Sequence, residues 1–346
     1  MYQHGGDIYH HLNCIDFSAN INFLGLPKPV KEALEEGIGA CEHYPDVRME
    51  KLRELIAKRE GVLPEQIICG NGAAELIFLL AAALRPKKAI LLAPGFQEYE
   101  QALSFYGCEI CFYDLKEENG FLPGEDLEDR IDDSVDMMFL CNPNNPTGVL
   151  MDSGWMERIV ERCSSTGTTL VVDECFLDFI DDEEELSVRR FLPDHPNLFV
   201  IRAFTKIFAM PGLRLGYGIC SNEETLRKIR AGCQPWNVSV PAQKAGCVAA
   251  ELQEYVEETR RLLKLEKSWL ILALEDLSLQ IYGSAANYIF FRGPEDLGEQ
   301  LESKGFLMRD CSNYRGLTKG FYRIAVRARL DNEELICAMR ECLEVK

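Results

Sequence analysis

The chain has 346 residues, a length typical of about two domains of roughly 150 residues each. Its 37 Lys and Arg residues against 56 Asp and Glu residues give a formal charge of −19, so we expect no nucleic-acid partner. Hydrophobic residues make up 47% and charged residues 27%, which excludes a disordered chain. No apolar run is long enough to span a bilayer and no secretion signal is visible, so the sequence predicts a soluble, cytoplasmic protein.

Seven short apolar segments between residues 66 and 219 predict the strands of one sheet. They are Gln66–Cys69, Ala89–Leu92, Glu109–Tyr113, Met137–Leu140, Thr169–Val172, Leu198–Ile201 and Leu215–Ile219. Between most of them lie amphipathic stretches that predict helices, among them Ala73–Leu84, Phe96–Tyr106 and Ser153–Ser165. Strands that alternate with helices favour an α/β fold with a mostly parallel sheet covered on both faces.

The C-terminal third of the chain predicts a smaller α+β domain. Pro241 to about Leu277 is rich in Ala, Leu, Glu and Lys and predicts one long helix between the domains. Two strand-like segments follow, Asn287–Arg292 and Phe321–Val326. We therefore expect a large domain over residues 28–245 and a small domain over 246–346, with an N-terminal arm, 1–27, that joins the small domain.

The 14 cysteines are scattered through apolar segments, a pattern typical of small buried thiols that stay reduced. Cys108 and Cys111 form a CxxC pair, but they lie in a predicted strand, where residues three apart point to opposite faces. His4, His10 and His11 lie in a polar segment and are more simply solvated than bound to a metal. The sequence therefore predicts no metal site.

Polar motifs follow several predicted strands, at the edge where open α/β sheets bind their ligands. Gly72, Ala73 and Ala74 open a helix whose N–H groups can hold a phosphate, although a plain turn is the alternative. Asn145 lies in a rigid turn rich in Asn and Pro, and its amide can donate to an oxygen of a bound ring. Asp173 ends a buried strand and needs a cation, which is either a protonated ring nitrogen or the partner in a structural ion pair.

The most informative motif follows the predicted strand that ends at residue 201. Thr205 and Lys206 come just after this strand, and Arg214 follows shortly in the sequence. An isolated lysine is usually a solvated charge, but a lysine amine at a strand end can form a Schiff base. The Thr205 hydroxyl and the Arg214 guanidinium can hold a phosphate. The combination favours a functional lysine.

The chain resembles the class I/II aminotransferase superfamily in three motifs. In order and spacing these are Asn145-Pro146-Thr147-Gly148, Asp173, and Thr205-Lys206 with Arg214. These enzymes have fold type I and use pyridoxal 5′-phosphate (PLP), and the resemblance extends over essentially the whole chain. It implies that Lys206 carries PLP as a Schiff base and moves protons, and that Asp173 pairs with the pyridinium nitrogen. It also implies that Asn145 binds the ring 3′-oxygen and that Arg214 holds the cofactor phosphate.

The same resemblance implies further contacts. Phe96 matches the aromatic residue that stacks on the PLP ring, and Arg323 matches the arginine that binds the substrate α-carboxylate. Tyr44 matches a tyrosine that reaches the cofactor phosphate of the neighbouring subunit, so a homodimer with shared sites is implied. Two positions depart from the pattern, because Phe176 replaces a tyrosine and Ala203 replaces a Ser or Thr. We therefore expect the cofactor to be tuned differently from that of a typical transaminase.

Three segments resemble the L-threonine-O-3-phosphate decarboxylases of cobalamin biosynthesis, which are close relatives of the histidinol-phosphate aminotransferases. The segments are residues 4–8, 16–22 and 308–314. The resemblance implies that Arg309 binds the phosphate ester of an amino substrate, and that His4 and Asn22 belong to the substrate site. For Arg309 alone, a surface arginine is the alternative interpretation.

Two PLP-dependent activities are consistent with these motifs. The expected reaction is decarboxylation of L-threonine O-3-phosphate to (R)-1-amino-2-propanol phosphate, and the alternative is transamination of histidinol phosphate with 2-oxoglutarate. A PLP-binding regulator of transcription is not expected, because the chain lacks a basic surface for DNA. An NAD-dependent dehydrogenase is not expected either, since the glycine-rich turn at residues 70–75 lacks the third glycine of that fingerprint.

Overall fold

The computed structural model describes residues 4–344. Its strands are β1 (Ile15–Asp16), β2 (Ile67–Asn71), β3 (Lys88–Ala93), β4 (Glu109–Asp114), β5 (Met137–Cys141), β6 (Thr169–Asp173), β7 (Leu198–Ala203), β8 (Leu215–Cys220), β9 (Gln280–Gly283), β10 (Tyr288–Arg292), β11 (Phe306–Leu307), β12 (Arg309–Asp310) and β13 (Phe321–Ala325). Its α-helices are α1 (Lys28–Gly39), α2 (Glu50–Glu60), α3 (Ala73–Leu84), α4 (Gln97–Phe105), α5 (Asp126–Asp129), α6 (Ser153–Thr166), α7 (Glu183–Leu186), α8 (Phe204–Ile207), α9 (Glu223–Gly232), α10 (Val240–Ala249), α11 (Gln253–Asp276), α12 (Leu297–Ser303) and α13 (Arg329–Glu344). Within the described residues, every helix is either too short or too polar to span a membrane.

Seven strands form the central sheet, in the order β2-β8-β7-β6-β5-β3-β4. The strands from β4 across to β7 pair in parallel with their neighbours. β8 runs antiparallel to both β7 and β2. The predicted α/β fold with a mostly parallel, seven-stranded sheet is therefore confirmed, and each strand lies within two residues of its expected bounds.

Helices cover both faces of the central sheet. Successive residues of β2 illustrate this, because Ile67 and Ile68 belong to two different hydrophobic clusters on opposite faces. On one face α3 packs with α4 and α9, and on the other α10 packs with α1 and α2. β5, β6 and β7 are buried along nearly their whole length, as strands between two helical layers should be.

The C-terminal region contains a second, antiparallel sheet in the order β12-β13-β10-β9. Its strands β10 and β13 confirm the two predicted strand-like segments. Near the N-terminus, β1 pairs in parallel with β11 of the C-terminal region. β1, β11 and β12 have two residues each, too few for an alternating pattern to be visible in the sequence. The domain boundaries stay a prediction, and the one expected at residue 245 lies inside α10.

The single long helix expected from Pro241 to about Leu277 is wrong in one respect. The chain forms two helices, α10 and α11, and Leu252 between them has non-helical backbone angles of φ −89° and ψ 58°. α10 packs tightly on the central sheet, since a Cβ on Gly246 would lie 2.4 Å from Leu215. α11 packs against β9 and α13 of the C-terminal region and against the turn at residues 177–179 that follows β6. Packing against two different layers accounts for the break, which no Pro or Gly marks in the sequence.

Candidate active site

A cavity lies at the carboxyl ends of β5, β6 and β7, where residues from the N-terminal segment and the second sheet cover the central sheet. This is the edge at which open α/β sheets bind ligands. Most of the site residues predicted from the sequence line it, namely His4, Ala73, Ala74, Phe96, Asn145, Asp173, Thr205, Lys206, Arg214, Arg309 and Arg323. The fold therefore brings together motifs that are far apart in the chain.

Lys206 lies in the short helix α8, directly after β7. Burial, and to a smaller extent the positive charges of Arg323 and Arg214, lower the pKa of its amine to about 8. Among the described residues, its Nζ has no hydrogen bond or ion pair. Its carbonyl oxygen accepts a hydrogen bond from the Asn22 N–H at 3.2 Å, which ties the turn to the N-terminal segment. A substantial fraction of this amine is neutral near physiological pH and available as a nucleophile.

Asp173 ends β6 and is buried at the bottom of the cavity. Its Oδ2 accepts a hydrogen bond from the Tyr99 hydroxyl at 2.7 Å, and its Oδ1 accepts one from the Cys175 N–H at 3.0 Å. Burial raises the pKa of Asp173, although these hydrogen bonds oppose that shift. No cation of the described residues forms an ion pair with this carboxylate. Such a group is suited to a ligand that brings a positive charge.

Tyr99 was not predicted from the sequence, yet it holds Asp173 in place. Its ring stacks on Phe139 with centroids 4.8 Å apart and contacts Phe96 edge-on at 5.5 Å. The sequence feature that could have indicated Tyr99 is helical spacing. Tyr99 follows Phe96 by three residues in a predicted helix and therefore lies on the same face. Nothing in the sequence pairs it with Asp173.

The start of α3 and Arg214 form an anion-binding corner of the cavity. No side chain caps α3, whose first-turn residues Ala73 and Ala74 line the cavity. Gly72 precedes the helix with φ of 80°, and a Cβ there would lie 2.5 Å from Arg214 Nη2. A Cβ on Gly216 would lie 2.5 Å from the Ala73 nitrogen, so glycine lets β8 approach the helix start. Glycine is thus needed at position 72 for its backbone conformation and for the room it leaves beside Arg214. Gly72 lies next to the cavity and does not line it.

Arg323 reaches the cavity from β13 and is buried. Its Nη2 donates to the Ser18 carbonyl at 2.9 Å, and its Nη1 donates to Asn145 Oδ1. Its Nε is buried without a hydrogen-bond partner, and no carboxylate of the described residues pairs with it. Asn145 thus accepts from Arg323 through its oxygen, which leaves its amide N–H groups as donors toward the cavity.

Arg309 lies directly opposite Arg323, because β12 and β13 pair these two residues. Its Nη2 donates to Asn313 Oδ1 at 2.9 Å, and its guanidinium lies 5.0 Å from the centre of the Tyr314 ring. Two like charges opposite each other weaken a strand pair. The surface-arginine alternative is wrong, since Arg309 is only 5% exposed and lines the cavity. The pair creates a strongly positive wall suited to anions.

His4 lies at the mouth of the cavity, with its Nε2 3.3 Å from Glu98 Oε1. Burial raises the pKa of Glu98, and its Oε2 has no hydrogen-bond partner in the described residues. Phe176 lines the opposite wall, edge-on to Tyr288 at 5.0 Å. The Tyr288 hydroxyl donates to the Asn144 carbonyl at 2.7 Å, so it does not replace the hydroxyl that Phe176 lacks.

Besides Gly72, two predicted site residues lie outside the cavity of this single chain. Asn22 is buried, and its amide nitrogen donates to the Ile207 carbonyl and to Thr259, both at 2.8 Å. Asn22 thus holds the lysine turn, and its expected place in the substrate site stays a prediction. Tyr44 is 79% exposed and stacks on Trp236, with ring centroids 4.4 Å apart. It does not reach the cavity of its own chain.

The cavity fits PLP on the chemistry of its side chains. Asp173 presents a buried carboxylate that no cation of residues 4–344 pairs with, as a pyridinium nitrogen requires. Arg214 and the uncapped start of α3 present donors for a phosphate, and Lys206 presents an amine of lowered pKa for an aldehyde. Phe96 adds an aromatic wall.

Comparison with known proteins identifies the family of this chain. Residues 13–340 match the family model for aminotransferases of class I and II. A threonine-phosphate decarboxylase of Salmonella typhimurium is 38% identical over 95% of this chain and 91% of that protein. The crystal structure of the histidinol-phosphate aminotransferase of Clostridium acetobutylicum superposes with a TM-score of 0.89, at 30% identity over 95% of this chain and 99% of that one. That of L-threonine-O-3-phosphate decarboxylase from Porphyromonas gingivalis has a TM-score of 0.83, at 28% identity over the same shares.

Proposed function

This chain belongs to the class I and II aminotransferase family, and we propose that it removes CO₂ from L-threonine O-3-phosphate. It is a PLP-dependent enzyme of decarboxylase or aminotransferase type. The proposed product is (R)-1-amino-2-propanol phosphate, and the proposed place of the reaction is cobalamin biosynthesis. The cytoplasmic location expected from the sequence stays a prediction.

The observation that carries the proposal is the pair of arginines at one wall of the cavity. Arg309 and Arg323 are cross-strand neighbours, both buried and both in contact with the cavity that holds Lys206. Guanidinium groups bind carboxylates and phosphates through two parallel hydrogen bonds. A substrate with a carboxylate at one end and a phosphate ester at the other would match both arginines, as L-threonine O-3-phosphate does.

The chain's own residues would position this substrate and supply its proton. Bound PLP acts as an electron sink for the bond broken at the substrate α-carbon. Arg323 would hold the carboxylate and Arg309 the phosphate ester, so both ends of the molecule would be anchored. Lys206, with a pKa of about 8, can exchange a proton near neutral pH and would supply the proton that replaces CO₂.

A second candidate is the transamination of histidinol phosphate with 2-oxoglutarate. The TM-score of 0.89 to a histidinol-phosphate aminotransferase favours it. Histidinol phosphate carries a phosphate ester but no carboxylate, so Arg309 would be needed for this substrate and Arg323 only for the acid partner. The two candidates therefore place different demands on Arg323.

The decisive experiment supplies the holoenzyme with L-threonine O-3-phosphate, without any keto acid, and measures CO₂. Release of CO₂ supports the decarboxylase. Plain threonine should bind more weakly by roughly 2–4 kcal/mol, because a buried Arg309 would be left without its anion. Absence of CO₂, together with rapid amino transfer from histidinol phosphate to 2-oxoglutarate, would replace the decarboxylase by the aminotransferase.

The active unit is proposed to be a homodimer in which Tyr44 completes the phosphate site of the partner. Tyr44 is suited to such a contact because it is exposed and rigidly stacked on Trp236. A hydrogen bond to an anion contributes about 1.5–3 kcal/mol, so Tyr44→Phe should weaken PLP retention about tenfold or more. Sedimentation and dialysis measure the two properties. A fully active monomer would contradict the proposal.

A further inference from the structure

We propose that Gln97 and Asn313 form a latch that orients Arg309 and so determines specificity for a phosphorylated substrate. The proposal rests on the function proposed above and adds two positioning residues to it. Neither residue lines the cavity itself. Both act through Arg309, which does.

The first part of the latch lies within the second sheet. Arg309 belongs to β12, a two-residue strand at the edge of that sheet, where the backbone gives little support. An arginine side chain also loses rotamer entropy when it is held in one position. Asn313 Oδ1 accepts from Arg309 Nη2 at 2.9 Å, and the neighbouring Tyr314 ring lies under the guanidinium. Arg309 Nη1 also donates to the Asp310 carbonyl, so the turn that carries Asn313 and Tyr314 is one of the groups that orient the guanidinium.

The second part of the latch connects that turn to the central sheet. Gln97 Nε2, in the first turn of α4, donates to the Asn313 carbonyl at 3.1 Å. An ion pair between Arg315 and Asp114 also joins this turn to the central sheet, and both of its partners are more than half exposed. Exposed ion pairs contribute little. The hydrogen bond from Gln97 is exposed as well, but it is the link that contacts Asn313, the residue that binds Arg309.

The first turn of α4 is a rigid base for this contact. Tyr99 lies two residues after Gln97, stacks on Phe139 and donates to Asp173. The same turn therefore contacts the carboxylate expected to face the cofactor and, through Asn313, the arginine expected to face the substrate phosphate. A displacement of the second sheet relative to α4 would move Arg309 away from the position that Asp173 and Lys206 require.

Single and double variants test the latch in the holoenzyme. Gln97→Met removes the link between α4 and the turn, and Asn313→Ala removes the link between the turn and Arg309. The dissociation constants for L-threonine O-3-phosphate and for L-threonine are measured by titration, with the visible absorption of the cofactor as the signal. Gln101→Met is the matched control, since Gln101 lies in the same helix, is exposed and has no hydrogen bond in the described residues.

We expect each single variant to raise the dissociation constant for L-threonine O-3-phosphate about five- to tenfold, the value of one lost hydrogen bond. The constant for L-threonine and the cofactor spectrum should change by less than about twofold. The double variant should be no weaker than the weaker single variant, because both links act on one arginine. Additive effects, equal weakening of both ligands, or the same change in Gln101→Met would overturn the proposal.

Failure of the latch and failure of the proposed reaction are distinguishable. If L-threonine O-3-phosphate releases no CO₂ but binds with the expected dependence on Gln97 and Asn313, the latch stands and the reaction is wrong. If the parent enzyme binds histidinol phosphate instead, the same titrations with histidinol phosphate and histidinol test the latch. If the parent enzyme prefers neither phosphorylated ligand over its unphosphorylated form, the latch is wrong.

Discussion

Buried charges near the ends of β6 and β7 are arranged in two opposite ways. In the paired network, four arginines and four carboxylates neutralise one another; they are Arg59, Arg189, Arg202, Arg260, Glu60, Glu174, Asp178 and Glu183. In the cavity, Asp173, Lys206 and Arg323 form no ion pair with any described residue. Residues adjacent in sequence separate into the two regions, since Glu174 accepts from Arg202 at 3.0 Å while Asp173 accepts only from neutral donors.

The two arrangements indicate different roles for the two regions. Removing one partner of a buried ion pair is strongly destabilising, so the paired network holds β6 and β7 in register behind the site. Charges left unpaired in a cavity weaken the empty protein and are compensated when ligands bind. Four predictions test this difference, and each changes a residue of one of the two regions.

The largest effect is expected when the unpaired lysine is removed. Lys206→Ala should abolish fixation of PLP by borohydride and reduce turnover by at least about a thousandfold, because the amine that captures the aldehyde is gone. Lys267 is the matched control. Its pKa is also lowered to about 8 by burial, but its Nζ donates to the Ala285 and Ala286 carbonyls at 2.8 and 3.0 Å. Lys267→Met should keep the fixed cofactor, and a covalent adduct in Lys206→Ala would refute the assignment.

The next effect concerns the paired network. Arg202→Met leaves Glu174 and its neighbours without their shared cation, so the free energy of unfolding should fall by about 3–5 kcal/mol. Urea unfolding measures it. The control is Arg227→Met, because Arg227 is 70% exposed in its pair with Glu224 and should cost less than about 1 kcal/mol. Equal losses in the two variants would mean that the buried network contributes no more than a surface pair.

For Arg323, in the cavity, we expect almost none of the loss of stability expected for Arg202. Arg323→Met removes a buried cation that has no carboxylate partner among the described residues, and this gain offsets the loss of its hydrogen bonds to Ser18 and Asn145. The apoprotein's free energy of unfolding should therefore change by less than about 1 kcal/mol. Affinity for a carboxylate-bearing substrate should fall about a hundredfold, because two charge-assisted hydrogen bonds are lost. Urea unfolding and substrate titration separate the two quantities. A loss of stability as large as that of Arg202→Met would mean that Arg323, like Arg202, mainly stabilises the fold.

The smallest effect is a pH dependence. The ordinary pKa of lysine is 10.5, and in the fold that of Lys206 is about 8, so the amine is protonated below pH 8 and neutral above it. The rate at which the apoprotein captures PLP should rise about tenfold per pH unit up to about pH 8 and then level off. After burial, the charge of Arg323 is the largest influence that lowers this pKa. Arg323→Met should therefore shift the midpoint of the rate profile upward, and an unchanged midpoint would mean that the Arg323 charge does not contribute to the shift.

Much of the fold could be predicted because most strands of the central sheet are short apolar segments that alternate with amphipathic helices. β5, for example, is a continuous apolar segment of five residues, buried throughout, which is too short for a typical helix and is followed by a turn rich in Asn and Pro. The break between α10 and α11 could not be predicted, since packing against two layers causes it and no helix-breaking residue marks it. Two-residue strands such as β12 were missed because they carry no periodicity.

The site residues also fall into two groups, those that a local motif indicates and those that only long-range contacts reveal. Lys206, Asp173 and Arg214 could be found because each follows a strand or motif that points to one edge of the sheet. Tyr99 and Gln97 could not be found, because their partners lie more than seventy residues away in the chain. The contacts of Asn22 could not be predicted for the same reason, as its partners Ile207 and Thr259 are distant in sequence.

Local sequence patterns specify which chemical groups this protein has and the end of the sheet to which most of them belong. Alternation of strands and helices follows from local hydrophobic patterning, and strand ends follow from it directly. Which charges are paired and which are left for a ligand depends on the packing of the whole chain. Glu174 and Asp173 are adjacent acids at the end of one strand, where neighbouring side chains point in opposite directions, and nothing local shows which of them meets a cation. Their difference arises because Arg202 lies beside one and no cation of the described residues pairs with the other, a matter of long-range packing.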